Sequence, residues 1–134
     1  MSFSFSSNSL NNLASADPRL QQLCHTVIQL GLTDFSVITG HRDEEAQNRA
    51  FAEKKSKLKW PNSKHNSYPS LAVDLLPYPT GWDKREPFYY LAGLMLSTAS
   101  FLHIPIRWGG DWNQNGNLFD QSFLDLAHFE IIGG

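Results

Sequence analysis

The run Leu71-Ala72-Val73-Asp74-Leu75-Leu76, closed by Pro77, sets one carboxylate in the middle of an otherwise apolar stretch. Its length and branched residues predict a mostly buried strand. An ionised side chain in such a strand costs several kcal/mol unless a hydrogen bond, a counter-charge or a metal meets it. Any fold of this chain must therefore deliver a distant partner to Asp74. Two of the five histidines stand where they could do so. His65 lies nine positions earlier in a polar stretch, and His128 lies in an alternating segment near the C-terminus, with Asp125 three residues before it.

The partner must come from within a single domain, because 134 residues make one ordinary folding unit. With 41% hydrophobic and 18% charged residues the chain can bury a real core, which excludes a disordered segment. One cysteine excludes internal disulfides. Eleven Lys and Arg against thirteen Asp and Glu leave no surplus for a binder that works by neutralising phosphates, so no nucleic-acid partner is expected. The first residues lack the basic and apolar regions of a secretory signal. The most apolar segment, residues 89–106, is interrupted by Ser97, Thr98, Ser100, His103 and Pro105, and falls short of a membrane span.

Local signals divide the chain into mixed elements. Residues 1–16, rich in Ser and Asn, read as a loosely ordered arm tied down by Leu10 and Leu13. Asp17 and Pro18 begin a helix whose apolar positions Leu20, Leu23, Cys24, Val27 and Ile28 run until Gly31. A strand at residues 35–39 ends at Gly40-His41-Arg42, and Asp43 caps a helix over residues 44–55. A long loop spans residues 57–70. After the strand carrying Asp74, Asp83 opens a helix to about residue 102, residues 104–108 form a short strand, and residues 127–132 form the last one. The irregular alternation predicts an α+β fold with a small antiparallel or mixed sheet flanked by helices.

His65, Asp74 and His128 make a ligand set of mixed imidazole and carboxylate type. Three such ligands with a fourth position for water suit catalytic zinc, whereas a structural zinc site draws more on cysteine. A nearby carboxylate would then accept the proton of an attacking water. A second pattern, Asp111, Asn113, Asn115 and Gly116, matches the front half of a calcium loop, with Asn117 and Asp120 as further oxygen donors; position 12 is Ser122 in place of Glu, and a metal-free Gly/Asn turn explains the same residues. Cys24 falls on a buried stripe and reads as a small core residue. Lys54, Lys55, Lys57 and Lys59 read as a solvated helix end that could also attract an anionic polymer. The four tryptophans read as packing, with Trp108 and Trp112 placed to wall a groove.

The segments Ser63-Lys64-His65, Ser70-Leu71-Ala72-Val73-Asp74 and Asp125-Leu126-Ala127-His128-Phe129-Glu130 resemble the split zinc motif of peptidase family M15, which includes D-Ala-D-Ala carboxypeptidases and phage L-alanyl-D-glutamate endolysins. The Asp-x-x-His form, Trp108-Gly109-Gly110-Asp111-Trp112 and the short chain resemble the endolysin branch, over residues 17–132. The resemblance implies a hedgehog/DD-peptidase-like fold in which His65, Asp74 and His128 hold zinc, Asp125 is the general base, and Arg42 stabilises the oxyanion. Ser63 would support the site or contact substrate. Two positions depart from the pattern. Eight residues separate His65 from Asp74, more than is usual in the family, so the loop at residues 66–69 must bulge; His41 stands where an aromatic is commoner.

The expected activity is hydrolysis of the L-Ala–D-Glu bond of the peptidoglycan stem peptide by a monomer without stable membrane insertion. It would be held in the host cytoplasm until a holin-type lesion releases it. A D-Ala-D-Ala or L,D-carboxypeptidase and a non-catalytic zinc-containing hedgehog-like module are the alternatives. Residues three apart on a strand face opposite sides, so Asp125 must lie in a turn to join His128. Glu130 shares the His128 face and is either the acceptor that orients the imidazole or a rival base.

Overall fold

A computed structural model describes residues 2–117 and 124–133. Asp34–Thr39 (β1), Ala72–Tyr78 (β2), Ile106–Trp108 (β3) and His128–Ile131 (β4) form one antiparallel sheet in the order β1-β2-β4-β3. The helices are Ser7–Ala14 (α1), Pro18–Gln29 (α2), Glu44–Ala52 (α3) and Glu86–Leu102 (α4). The expected α+β class with helices around a small sheet is what the chain adopts.

The period-two alternation of the strands sorts the molecule into a core and a working face. Phe35, Val37, Val73, Leu75, Phe129 and Ile131 are buried together with the α2 stripe Leu20, Leu23, Cys24, Val27 and Ile28 and with Leu91, Ala92, Met95 and Ala99 of α4. Cys24 is a core residue, and burial pushes its thiol up to about 12. The other face carries the polar residues in register. Asp74 pairs with His128 across β2 and β4 and with Thr39 across β1, while Glu130 pairs with Arg107 of β3. A bulge between Val37 and Thr39 bends β1 as it leads into Gly40 and Arg42.

Several boundaries differ from the sequence expectation for local reasons. The expected loose arm is helix α1, capped by Ser6. Ser9 Oγ accepts from the Val37 N–H at 3.0 Å and Asn12 Nδ2 donates to the Val37 carbonyl at 2.8 Å, so polar side chains complete the open edge of β1. Leu13 is the buried anchor, whereas Leu10 is 44% exposed. Asp83 ends a short 3-10 turn, Gly81–Asp83, and does not open α4; that helix starts at Glu86 with Pro87 in its first turn. Helix α3 ends three residues before the expected Lys55. Strand β2 continues through Pro77, which pairs with Phe35 beyond the reach of β4, where its missing N–H breaks no ladder on that side. Strand β3 starts after Pro105, and Ala127 belongs to the turn before β4. His103 is the left-handed C-cap of α4. No helix among the described residues is long and apolar enough to cross a membrane.

Leu13→Ala should cost about 2–5 kcal/mol in denaturant unfolding, as a buried anchor does, while Leu10→Ala should change stability by less than about 0.5 kcal/mol. Equal effects would mean that α1 is not docked as described.

Candidate metal centre

Three separate elements place the three ligands. Asp74 projects from β2 and His128 from the adjacent position of β4. His65 sits in the 3-10 turn Lys64–Asn66, which Ser63 caps: Ser63 Oγ accepts from His65 N, and Asn66 Oδ1 accepts from Ser63 N. Ser63 thus caps the turn that carries His65. Two backbone bonds, from Arg42 N to the His65 carbonyl and from Leu71 N to the Lys64 carbonyl, tie that turn to the sheet. The extra loop length is taken up outside, where Ser70 bonds the chain at Ser15 and Asp17 while Tyr68 stands 74% exposed.

His65 Nε2 and His128 Nδ1 each lie 3.3 Å from Asp74 Oδ1, and the three donor atoms fall within 4.8 Å of one another. The far side of each ring is occupied. His65 Nδ1–H donates to the Gly40 carbonyl at 2.8 Å, and His128 Nε2–H donates to Glu130 Oε1 at 2.8 Å. Those bonds leave the second nitrogen of each ring, His65 Nε2 and His128 Nδ1, facing Asp74 Oδ1. Among the described residues, His65 Nε2 and Asp74 Oδ1 are buried without a hydrogen-bond partner. Converging lone pairs need a cation between them, and bonds of about 2.0–2.1 Å to a tetrahedral ion require donor separations near 3.3 Å. The donor set fits a divalent metal. Gly40 is required here, since a Cβ would collide with the Asn12 carbonyl oxygen.

The electrostatics agree. Burial opposes ionisation of Asp74, but the His65 and His128 rings outweigh it and hold the carboxyl far below the usual range. Burial likewise opposes a charged His128, yet Asp74 and Glu130 raise it to about 9. Glu130 is buried, but His128 and the Arg107 guanidinium, 2.8 Å away, lower it to about 2. Glu130 thus accepts from both His128 and Arg107.

Asp125 occupies the turn before β4, as sharing a site with His128 demands: its carbonyl accepts from His128 N, and its N–H donates to Gly109. A Cβ on Gly109 would strike the Asp125 carbonyl oxygen. Burial and the charge of Asp74 raise the Asp125 carboxyl above its usual value. Arg42 approaches from the other side, with Nη2 3.4 Å from Asp74 Oδ2. All of these side chains line one cavity of about 840 Å³, whose opposite wall is formed by Lys54, Lys55, Ser56 and Lys57.

Other expected contributors lie elsewhere. Trp108 is a core residue, 4% exposed, stacked on Phe129 and donating Nε1–H to the Leu126 carbonyl; its alternation with Arg107 turns it away from the cavity. Trp112 lines the cavity, 5.4 Å from the His128 ring. His41 donates to the Ser67 carbonyl and meets Tyr68 edge-on, and it is not among the cavity-lining residues. In the candidate calcium loop, Asp111 Oδ2 accepts from Gly116 N and Asn115 Oδ1 from Asn117 N, while Asp120 and Ser122 lie outside the described residues. Sequence reasoning missed Arg107 and Gln47. An Arg alternating with Ile106 and Trp108 on a strand was the available signal for the first.

The sequence profile of the phage L-alanyl-D-glutamate peptidase family matches residues 1–132. The L-alanyl-D-glutamate peptidase of Escherichia phage T5 is 31% identical over 138 aligned residues, which cover 98% of this chain and 100% of that relative. The crystal structure of the Serratia marcescens L-Ala D-Glu endopeptidase ChiX superposes with a TM-score of 0.75 at 23% identity, covering 98% of this chain and 90% of that one.

Glu130→Gln keeps the shape but weakens the acceptor for His128, and should lower divalent-metal affinity about 10–100-fold in a competitive chelator titration. Affinity equal to that of the wild-type chain would remove Glu130 from the support of the site.

Proposed function

Because the chain belongs to the phage L-alanyl-D-glutamate peptidase family, we propose that it is a zinc metallopeptidase of the M15 type that hydrolyses the L-Ala–D-Glu bond of the peptidoglycan stem during host lysis. The observation that carries this reading is the convergence of His65, Asp74 and His128 in one cavity with Asp125 and Arg42. Zinc, when bound by the three ligands, supplies Lewis acidity and makes water a nucleophile near neutral pH.

The chain's own groups do the rest. Asp125, with a carboxyl raised by burial, accepts a proton from the attacking water and returns it to the nitrogen of the leaving D-Glu. Glu130 is committed to His128 and Arg107 and is held strongly acidic, which supports Asp125 as the base. The Arg42 guanidinium, fixed at the cavity wall, stabilises the negative charge that develops on the former carbonyl oxygen. Trp112 and the lysine-bearing wall flank the peptide. The enzyme acts as a monomer and accumulates in the host cytoplasm until a membrane lesion admits it to the wall. Calcium at the loop from Asp111 to Asp120 has no support beyond the spacing of its oxygen donors.

Incubating the protein with peptidoglycan should release fragments with a new N-terminal D-Glu, identified by mass spectrometry, and a chelator should abolish the release until zinc is restored. Free D-Ala as the product would favour the carboxypeptidase reading, and chelator-resistant cleavage would refute the zinc mechanism. Asp125→Ala should retain one zinc per chain while kcat falls about 10²–10⁴-fold; full activity in that variant would pass the role of base to Glu130.

A further inference from the structure

Helix α3 docks without an apolar stripe. Its one buried residue is Gln47, which is fully buried, while Phe51 on the following turn is 36% exposed. An amphipathic helix ordinarily docks through leucines and valines, which carry no desolvation cost for a polar group. Here a buried amide takes that place, and every hydrogen bond it can make is made. Gln47 Oε1 accepts from Arg42 Nη1 at 3.0 Å and from Asn66 Nδ2 at 3.1 Å. Its Nε2 donates to the Leu58 carbonyl at 2.6 Å and to Ser56 Oγ at 3.0 Å.

Each partner belongs to the cavity or to the turn that carries a ligand. Arg42, Ser56 and Leu58 line the cavity, and Asn66 follows His65 and also donates to the Arg42 carbonyl. The anion nearest Arg42 is Asp74, at 3.4 Å from Nη2. A guanidinium left to itself beside a carboxylate closes into a two-bond pair, which would draw Arg42 onto a metal ligand and away from substrate. Gln47 gives Nη1 another acceptor, and Arg42 keeps a single, long bond to Asp74 through Nη2.

We propose that Gln47 is a positioning residue for the hydrolytic reaction: by taking Nη1 it limits the Arg42 guanidinium to one contact with Asp74, through Nη2, and joins it to the wall at residues 56–58, so that oxyanion stabilisation and substrate wall share one frame. This rests on the role of Arg42 under the proposed function. Helix α3 is then a carrier for one amide, which accounts for its lack of an apolar face.

A double-mutant cycle tests the coupling. Zinc content, kcat and KM on a stem peptide are measured for wild type, Gln47→Leu, Arg42→Ala and the double variant. Gln47→Leu should keep its zinc and lose about 10–100-fold in kcat, more than it changes KM, and the double variant should be no slower than Arg42→Ala alone. Gln47→Glu, which keeps the acceptor for Arg42 but gives up the donor to the Leu58 carbonyl, should recover part of the kcat lost in Gln47→Leu. If leucine prevents folding, Gln47→Met repeats the cycle with a side chain of similar length. An unchanged kcat, or the same loss with Arg42 present and absent, would overturn the proposal. A wild-type chain inactive on the stem peptide would instead overturn the proposed function, a separate result.

Discussion

The structure depends on one carboxylate in a place where a carboxylate is expensive. Asp74 interrupts a buried strand, and its burial is tolerable because two imidazoles arrive at the same oxygen, each 3.3 Å away. One ring comes from the neighbouring strand and the other from a capped turn. The sheet order makes this economical, since β1 and β4 flank β2 and bring Thr39 and His128 into the Asp74 row without further loops. Behind that row the opposite face is continuous core, which fixes the strands against the charge they carry.

Around the row, roles separate by environment. Two acidic side chains stand near His128, and their surroundings drive them apart: Glu130 is drawn down by His128 and Arg107, whereas Asp125 is pushed up by burial beside Asp74. Opposite shifts of that kind support the proposed division, in which one carboxylate orients and the other transfers the proton. Two glycines allow the close approaches, Gly40 against the Asn12 carbonyl and Gly109 against the Asp125 carbonyl, and neither position has room for a Cβ.

Much of this was legible in the residues, and what was hidden shares a cause. The strand around Asp74 and the α2 stripe follow from periodicity, the need of Asp74 for a partner follows from the cost of a buried charge, and the choice of His65 and His128 rests on the family resemblance. The turn position of Asp125 follows from strand geometry. Helix α1 was hidden because Ser9 and Asn12 look like disorder in composition, although they serve as backbone partners for Val37. Gln47 was hidden for the same reason: a glutamine on a polar helix signals exposure, and only the fold shows four partners around it. Trp108 is the packing residue its type suggested, but its further placement at a groove wall fails, because aromatic size says nothing of which face a three-residue strand turns inward. Polar residues that act within the structure leave little trace in hydropathy.

The most direct test of the centre is a crystal structure of the zinc-loaded protein with anomalous data at the zinc edge. It should show one ion bound by His65 Nε2, Asp74 Oδ1 and His128 Nδ1, with a fourth, non-protein ligand and with His128 Nε2 still on Glu130. An ion held through His128 Nε2, or no ion between these three residues, would contradict the account.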